Sequence, residues 1–165
     1  MNRAVRIGNE GEQFVISFFN QNGIETKKEE DFDKRYDHDI VCKLGRKKFT
    51  CEIKFDSMAC KTGNLAIEYH NSKKDEPSGI SATKADIWIH LIKDGDNIAM
   101  FAVKTDKLKE FIKNNPPFKT VSKAGQMNAE LNLWKLDDIL PTFERLEDLP
   151  ESDFQKTVKK ILKGE

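Results

Sequence analysis

Residues 36–55 read YDHDIVCKLGRKKFTCEIKF. Two runs with β-branched and aromatic residues flank Leu44-Gly45-Arg46-Lys47, which predicts one β-hairpin. Glycine at the first central position suits a type II′ turn, whose twist matches the strands it joins. With Gly45 and Arg46 as the turn, Leu44 opposes Lys47, and Asp39 falls directly opposite Glu52. Opposed β-carbons lie roughly 5 Å apart. Side chains two apart share a face, so Lys54 joins the two acids. Ile40, Cys42, Phe49, Cys51, Ile53 and Phe55 point the other way, into a core. Like charges held so close repel, and a divalent metal would relieve that repulsion.

Toward the N-terminus, Val5 to Asn22 reads as a helix, with Val5, Phe14, Val15, Phe18 and Phe19 at helical spacing. Gly23 is its stop signal. Glu12 stands three and seven positions before Val15 and Phe19, which places it near the buried stripe. Ile24 to Arg35 is charged and aperiodic, a loop or a short edge element, and Asp31, Asp33 and Asp37 read as solvated acids.

Asp39, then Glu52-Ile53-Lys54 on the next strand, resembles the PD-(D/E)xK nuclease superfamily, which includes Holliday-junction resolvases, type II restriction enzymes and RecB-like nucleases. Its members usually carry an acid on a preceding helix, and Glu12 in GNEGEQFVISFF stands in that place. The resemblance covers roughly Gly8 to Ala102; the residue before Asp39 is His38 where many members have proline. It implies an α/β fold with a restriction-endonuclease-like core, a mixed β-sheet flanked by helices. It implies Glu12, Asp39, Glu52 and Lys54 as catalytic residues, and Mg²⁺ or Mn²⁺ held by Asp39, Glu52 and the Ile53 carbonyl. Glu12 would bind a second ion or hold the attacking water. Lys54 would orient that water and offset developing negative charge.

Downstream of the hairpin, Asp56 to Gly63 reads as a loop and Asn64 to His70 as a half-buried strand. On that strand Glu68 either faces the cleft beside Lys54 or is an exposed glutamate, and His70 is a surface or rim residue. Asn71 to Gly79, with Lys73 and Lys74, reads as a mobile loop. Ser81 suits the N-cap of one helical turn through Lys84. Asp86 to Ile92 and Ile98 to Val103 are paired strands around Asp94-Gly95. The Ser-Ala-Thr-Lys-Ala-Asp turn also resembles a segment at the edge of the active cleft in several nucleases of the superfamily. Ser81, Thr83 and Lys84 are therefore either DNA-backbone contacts or ordinary capping residues, and Glu68, Lys73 and Lys74 complete the candidate DNA-binding set. Thr105 to Asn114 is a helix, Ala129 to Leu136 a strand, Asp137 to Phe143 a short helix broken near Pro141, and Ser152 to Leu162 a terminal amphipathic helix.

No repeat or linker interrupts the 165 residues, so one domain over 1–165 is expected. Lys and Arg number 28, as do Asp and Glu, for a formal net charge of zero. A nucleic-acid binder usually has a basic excess, so DNA as a partner requires a local basic face. Basic residues cluster at Arg3/Arg6, Arg46-Lys47-Lys48 and Lys73-Lys74. No apolar run is long enough to span a membrane, and MNRAVRIGNEGEQ lacks a signal-peptide core, so the expected location is cytoplasmic. Three cysteines without C-x-x-C spacing read as reduced thiols. Phosphate-loop, nucleophile-elbow and zinc-protease motifs are absent. The combined expectation is a metal-dependent deoxyribonuclease, with the zero net charge favouring ends or single strands. The alternatives are a Holliday-junction resolvase acting as a homodimer, or another structure-specific endonuclease, and a catalytically silent DNA-binding scaffold.

Overall fold

The computed structural model describes residues 3–34, 37–122 and 128–165, with residues 3–6 as backbone only. Arg35, Tyr36 and the side chains of Arg3, Val5 and Arg6, on which some expectations fall, lie outside the described residues. Helix α1 (Arg3–Gln21) buries Val15 and Phe19. In its last turn, Asn20 accepts the Thr26 amide at 2.8 Å and donates to the Thr26 carbonyl at 3.2 Å, which fastens the helix to strand β1 (Glu25–Lys28). Strands β2 (Ile40–Leu44) and β3 (Lys47–Asp56) form the hairpin with the expected register, Ile40 opposite Cys51 through Leu44 opposite Lys47. Gly45 has φ +62°, the positive φ that a type II′ turn requires at that position.

The segment expected to be a loop after β3 contains a helical turn, α2 (Ala59–Thr62). Asp56 Oδ1 accepts the amides of Met58 and Ala59, both at 2.9 Å, and so starts the turn. Strand β4 (Asn64–Asn71) buries Leu65 and Ile67. The stretch expected to be a mobile loop folds back, and β5 (Glu76–Pro77) pairs with His70 and Asn71. The turn expected to begin at Ser81 lies earlier, as a 3₁₀ turn over Gly79–Ser81 with Ser78 at its N-cap position. Strands β6 (Ile87–Asp94) and β7 (Asn97–Lys104) and helix α3 (Thr105–Asn114) follow as expected. Strand β8 (Lys119–Ser122), not anticipated, pairs with β9 (Ala129–Lys135). Helix α4 (Leu136–Ile139) runs into a 3₁₀ turn, strand β10 (Glu144–Arg145) edges β7, and α5 (Glu151–Lys163) ends the described fold.

The larger sheet has the order β1-β2-β3-β6-β7-β10; β3 and β6 run parallel and the other neighbours antiparallel. This is the mixed sheet flanked by helices. A second, antiparallel sheet of order β5-β4-β9-β8 accompanies it. On one face of the larger sheet, Ile40, Cys42, Phe49, Cys51, Ile53, Ile89 and Leu91 pack under α1 and α5. Phe154 of α5 meets Phe18 and Phe19 edge-on, with ring centroids 5.4 and 5.3 Å apart. On the other face, Trp88, Ile92 and Val103 pack with Leu65, Ile67, Trp134 and Leu108. Burying each large apolar side chain contributes about 1.5–3 kcal/mol, and both clusters hold the sheet that carries the polar stripe.

Candidate active site

The stripe is Glu52, Lys54 and Asp56 on β3. The parallel register sets Glu52 beside Trp88 and Lys54 beside His90 on β6. Carried one residue past the β2 ladder, the hairpin register puts Asp39 against Glu52. Asp39 is held there from both ends: its amide donates to the Cys51 carbonyl at 3.0 Å, and its Oδ2 accepts the Ile53 amide at 2.7 Å. Glu52 is buried, with Oε1 2.7 Å from Lys54 Nζ and Oε2 accepting the Thr83 hydroxyl at 3.3 Å. The Lys54 ammonium also lies over the Trp88 ring, 5.6 Å from its centroid. The Lys54 side chain keeps 34 % of its surface open, so the ammonium can reach a bound molecule.

Gly11 explains how α1 brings Glu12 to this group. A β-carbon at Gly11 would come within 3.1 Å of the Phe55 ring, so glycine lets the helix cross β3 this closely without displacing that ring. Glu12 Oε2 pairs with Lys28 Nζ at 2.8 Å, and the Glu12 charge is felt at Asp39.

The acids around half-buried Lys54 act on it and on Asp39. Burial, then the Glu52 charge, pushes the Asp39 carboxyl up from 3.8 to about 7, against the Lys54 charge and the Ile53 amide; Glu12 adds to the rise. For Lys54, burial opposes the ammonium, but Glu52, Asp39 and, farther off, Glu68 outweigh it and raise its pKa above 10.5. With both carboxyls ionised, Asp39 and Glu52 together carry more negative charge than Lys54 neutralises.

Trp88 is locked from behind. Its Nε1 donates to His90 Nδ1 at 3.3 Å, which leaves the His90 Nε2 proton to donate to Asp56 Oδ2 at 3.3 Å. Burial would raise the Asp56 pKa, but the hydrogen bond from His90, with those from the Met58 and Ala59 amides, holds it below 3.8.

The candidate DNA-binding residues separate. Thr83 is buried, and its hydroxyl serves the Asp37 carbonyl at 3.1 Å as well as Glu52; it holds the site's acid and is not open to a phosphate. Ser81 is exposed at the end of its 3₁₀ turn. Lys84 is exposed and pairs with Asp37 at 3.2 Å, while its amide donates to the Asp37 carbonyl at 2.9 Å. Glu68 is half-buried on the cleft beside Lys54, where an acid repels phosphate, so it belongs with the carboxylates. Lys73 and Lys74 are exposed on the β4–β5 turn, with Lys74 3.8 Å from Glu76. Arg46, Lys47 and Lys48 are exposed at the hairpin tip, roughly 16 Å along β3 from Glu52 by strand rise. His70 is half-buried and pairs with Asp75 at 3.1 Å.

Sequence reasoning missed three residues here. Lys28 partners Glu12, Trp88 supports Lys54, and Lys109 Nζ donates to the Thr83 carbonyl at 3.3 Å. Only Trp88 had a visible signal, as the neighbour of an ExK strand in an apolar run.

Among the described residues, no three His, Cys, Asp or Glu side chains converge into a ready metal cage. The donor set nevertheless suits a hard divalent cation. Asp39 and Glu52 supply carboxylate oxygens, and such an ion would offset the burial and the Glu52 charge that lift Asp39 to about 7. Mg²⁺ keeps several waters and needs only one or two protein carboxylates.

No family model and no curated protein matches the chain. Among solved structures, it is similar to a bacterial homing endonuclease, I-Ssp6803I, at 15 % identity and a TM-score of 0.55, over 98 % of this chain and 95 % of that one. It is also similar to Hjc of Archaeoglobus fulgidus, a Holliday junction resolvase from an archaeal hyperthermophile, at 11 % identity and a TM-score of 0.46, over 84 % and 91 %. The core of this chain is restriction-endonuclease-like. No helix among the described residues is long and apolar enough to cross a membrane.

Proposed function

We propose, from the premise of a restriction-endonuclease-like core carrying a PD-(D/E)xK-like motif, that this chain is a metal-dependent deoxyribonuclease. The observation that carries the reading is the juxtaposition of Asp39, Glu52 and Lys54, with the Lys54 ammonium 2.7 Å from Glu52 and two acids sharing one cation. Bound Mg²⁺ or Mn²⁺ would supply a Lewis acid for the scissile phosphate and a water of lowered pKa. Asp39, Glu52 and the Ile53 carbonyl would hold it. The Ile53 amide and the Thr83 hydroxyl fix the two carboxylates before substrate arrives, so little reorganisation remains. Lys54 Nζ, held over Trp88, donates to the attacking water and meets the charge that grows on the phosphate. Glu12 orients that water or serves a second ion.

The intact set of Glu12, Asp39, Glu52 and Lys54 favours an enzyme over a silent scaffold. The zero net charge favours ends or unpaired strands, which need a smaller basic footprint than a long duplex. The second reading is an endonuclease, the activity named for the structure similar over 98 % of the chain. The test incubates the protein with end-labelled single strands, duplexes, four-way junctions and closed circular DNA, each with Mg²⁺, Mn²⁺ or a chelator. Cleavage of ends and single strands, abolished by chelator and by Glu52→Gln, is expected. Cleavage of closed circles or junctions selects the second reading. Binding of DNA with no cleavage under any metal leaves the scaffold.

A further inference from the structure

The outer face of the second sheet is unusual. Leu131 and Leu133 of β9 and Ala66 of β4 are half-buried and belong to neither buried cluster. They share a face because Ala66 pairs with Leu133, and Glu68 with Leu131. This face lines a cleft of about 390 Å³ whose other wall holds Lys54 and Asp56. The cleft therefore opens directly onto the ammonium at the centre of the candidate site.

We propose that this cleft binds one unpaired nucleobase of the DNA whose neighbouring phosphate lies at Lys54. This inference rests on the nuclease reading. The charges exclude the backbone from the cleft: Asp56 and Glu68 are acids, and the Lys54 cation is already held at Glu52. A neutral, flat ring meets no such penalty. It buries its faces against Leu131, Leu133 and Ala66, and its exocyclic amine donates toward the Glu68 carboxylate. The volume falls in the range of small-ligand pockets and has room for one nucleoside. A base still paired in a duplex cannot enter; one at an end, in a bulge or in a single strand enters without the cost of unpairing. The second sheet thus makes the site selective for unpaired nucleotides, through an apolar wall and without a basic surface.

The test measures anisotropy of fluorescein-labelled duplexes in chelator, so that binding is read without cleavage. Three duplexes are compared: fully paired, with one bulged adenine, and with one bulged abasic residue. Wild type should bind the bulged adenine about 10-fold more tightly than the abasic bulge, since the two differ in composition only by the base. Ala66→Phe, which fills the cleft, and Leu131→Asn, which wets its wall, should bind both bulges at the abasic level and leave the affinity for paired DNA unchanged. Circular dichroism melting identifies any variant that fails to fold, and the other then carries the test. Equal binding of the two bulges by wild type overturns the pocket, as does an undiminished preference in the folded variants. If metal-dependent cleavage persists in that case, the nuclease reading stands without the pocket. If no duplex binds and none is cut, both fall.

Discussion

Asp39 Oδ2 accepts a hydrogen bond from the Ile53 amide at 2.7 Å, so the carboxylate is tied to the backbone between Glu52 and Lys54. Asparagine can keep that bond through its own oxygen while losing the charge. In metal-free buffer at pH 8, Asp39→Asn should therefore melt at a higher temperature than wild type, because it removes a charge that burial and Glu52 disfavour. Calorimetry should show that its Mn²⁺ site is lost. A variant that binds Mn²⁺ like wild type would place the ion elsewhere.

Two acids of the site give stability opposite pH slopes. Asp39 titrates at about 7 when folded, above its ordinary 3.8, so between these values the folded chain holds a proton that the unfolded chain releases. Its contribution is therefore greatest below 3.8 and declines as pH rises toward 7. Asp56 is held below 3.8, so its contribution is present above that value and is lost as pH falls through the folded pKa. Urea unfolding of the metal-free protein across pH should show both limbs. Asp39→Asn should flatten the limb between 3.8 and about 7 and leave the acid limb in place. An equally steep neutral limb in the variant would assign it to another group.

The hairpin was legible because its signals are local. A glycine at the turn and alternation on both sides determine the register, and the register brings Asp39, Glu52 and Lys54 together. The second sheet was not legible, since β4 and β9 lie far apart in sequence and β8 (Lys119–Ser122) is four residues long with one apolar side chain. Leu131 and Leu133 alternate as core residues would, yet Trp134, on the opposite face of β9, is the residue packed in the core, because packing chose the face and the pattern could not. The buried role of Thr83 was equally hidden, because it depends on remote partners. Its hydroxyl partners, Asp37 and Glu52, are 46 and 31 residues away, and no propensity reports them. The turn at Ala59 carried a readable sign in Asp56, three residues before it.

Thr83 has a consequence for the site that a surface residue would not. Thr83→Val keeps the shape and removes the donor to Glu52 Oε2 and to the Asp37 carbonyl. Leaving a buried acceptor unsatisfied costs about 1–3 kcal/mol. Urea unfolding should report a loss of that size, and Mn²⁺ affinity should fall as Glu52 loosens. Thr83→Ser should restore both. Unchanged stability and affinity in Thr83→Val would show that the hydroxyl holds nothing.

Cys42 and Cys51 are buried with sulfurs 3.9 Å apart, whereas Cys60 is exposed; all three are free. Burial raises the Cys51 thiol well above 9.0, so its reactive thiolate is scarce. A thiol reagent should label one cysteine quickly in the folded protein and all three in denaturant. Folding should survive reductant and a zinc chelator. Rapid labelling of three thiols in the native state would contradict the burial.

Lys54 separates chemistry from binding. Its ammonium is fixed by Glu52 at 2.7 Å and by the Trp88 ring, and it is still one-third open. Such a preorganised charge acts where negative charge develops, and losing one group of this kind costs about 10²–10³ in turnover. DNA affinity should change little, because the lysine is one charge among several that meet the backbone. Lys54→Ala should therefore lose most Mg²⁺-dependent cleavage while binding labelled DNA within a few-fold of wild type. It also leaves Glu52 and Asp39 without their shared cation, so its melting temperature must be measured beside its activity. Lys54→Arg keeps the charge and serves as the folded comparison, since a guanidinium cannot reproduce the point contact. Lys159→Ala on α5 should cut at the wild-type rate. If folded Lys54→Ala also does so, the ammonium is not part of the chemistry, and the search moves along the cleft to Glu68.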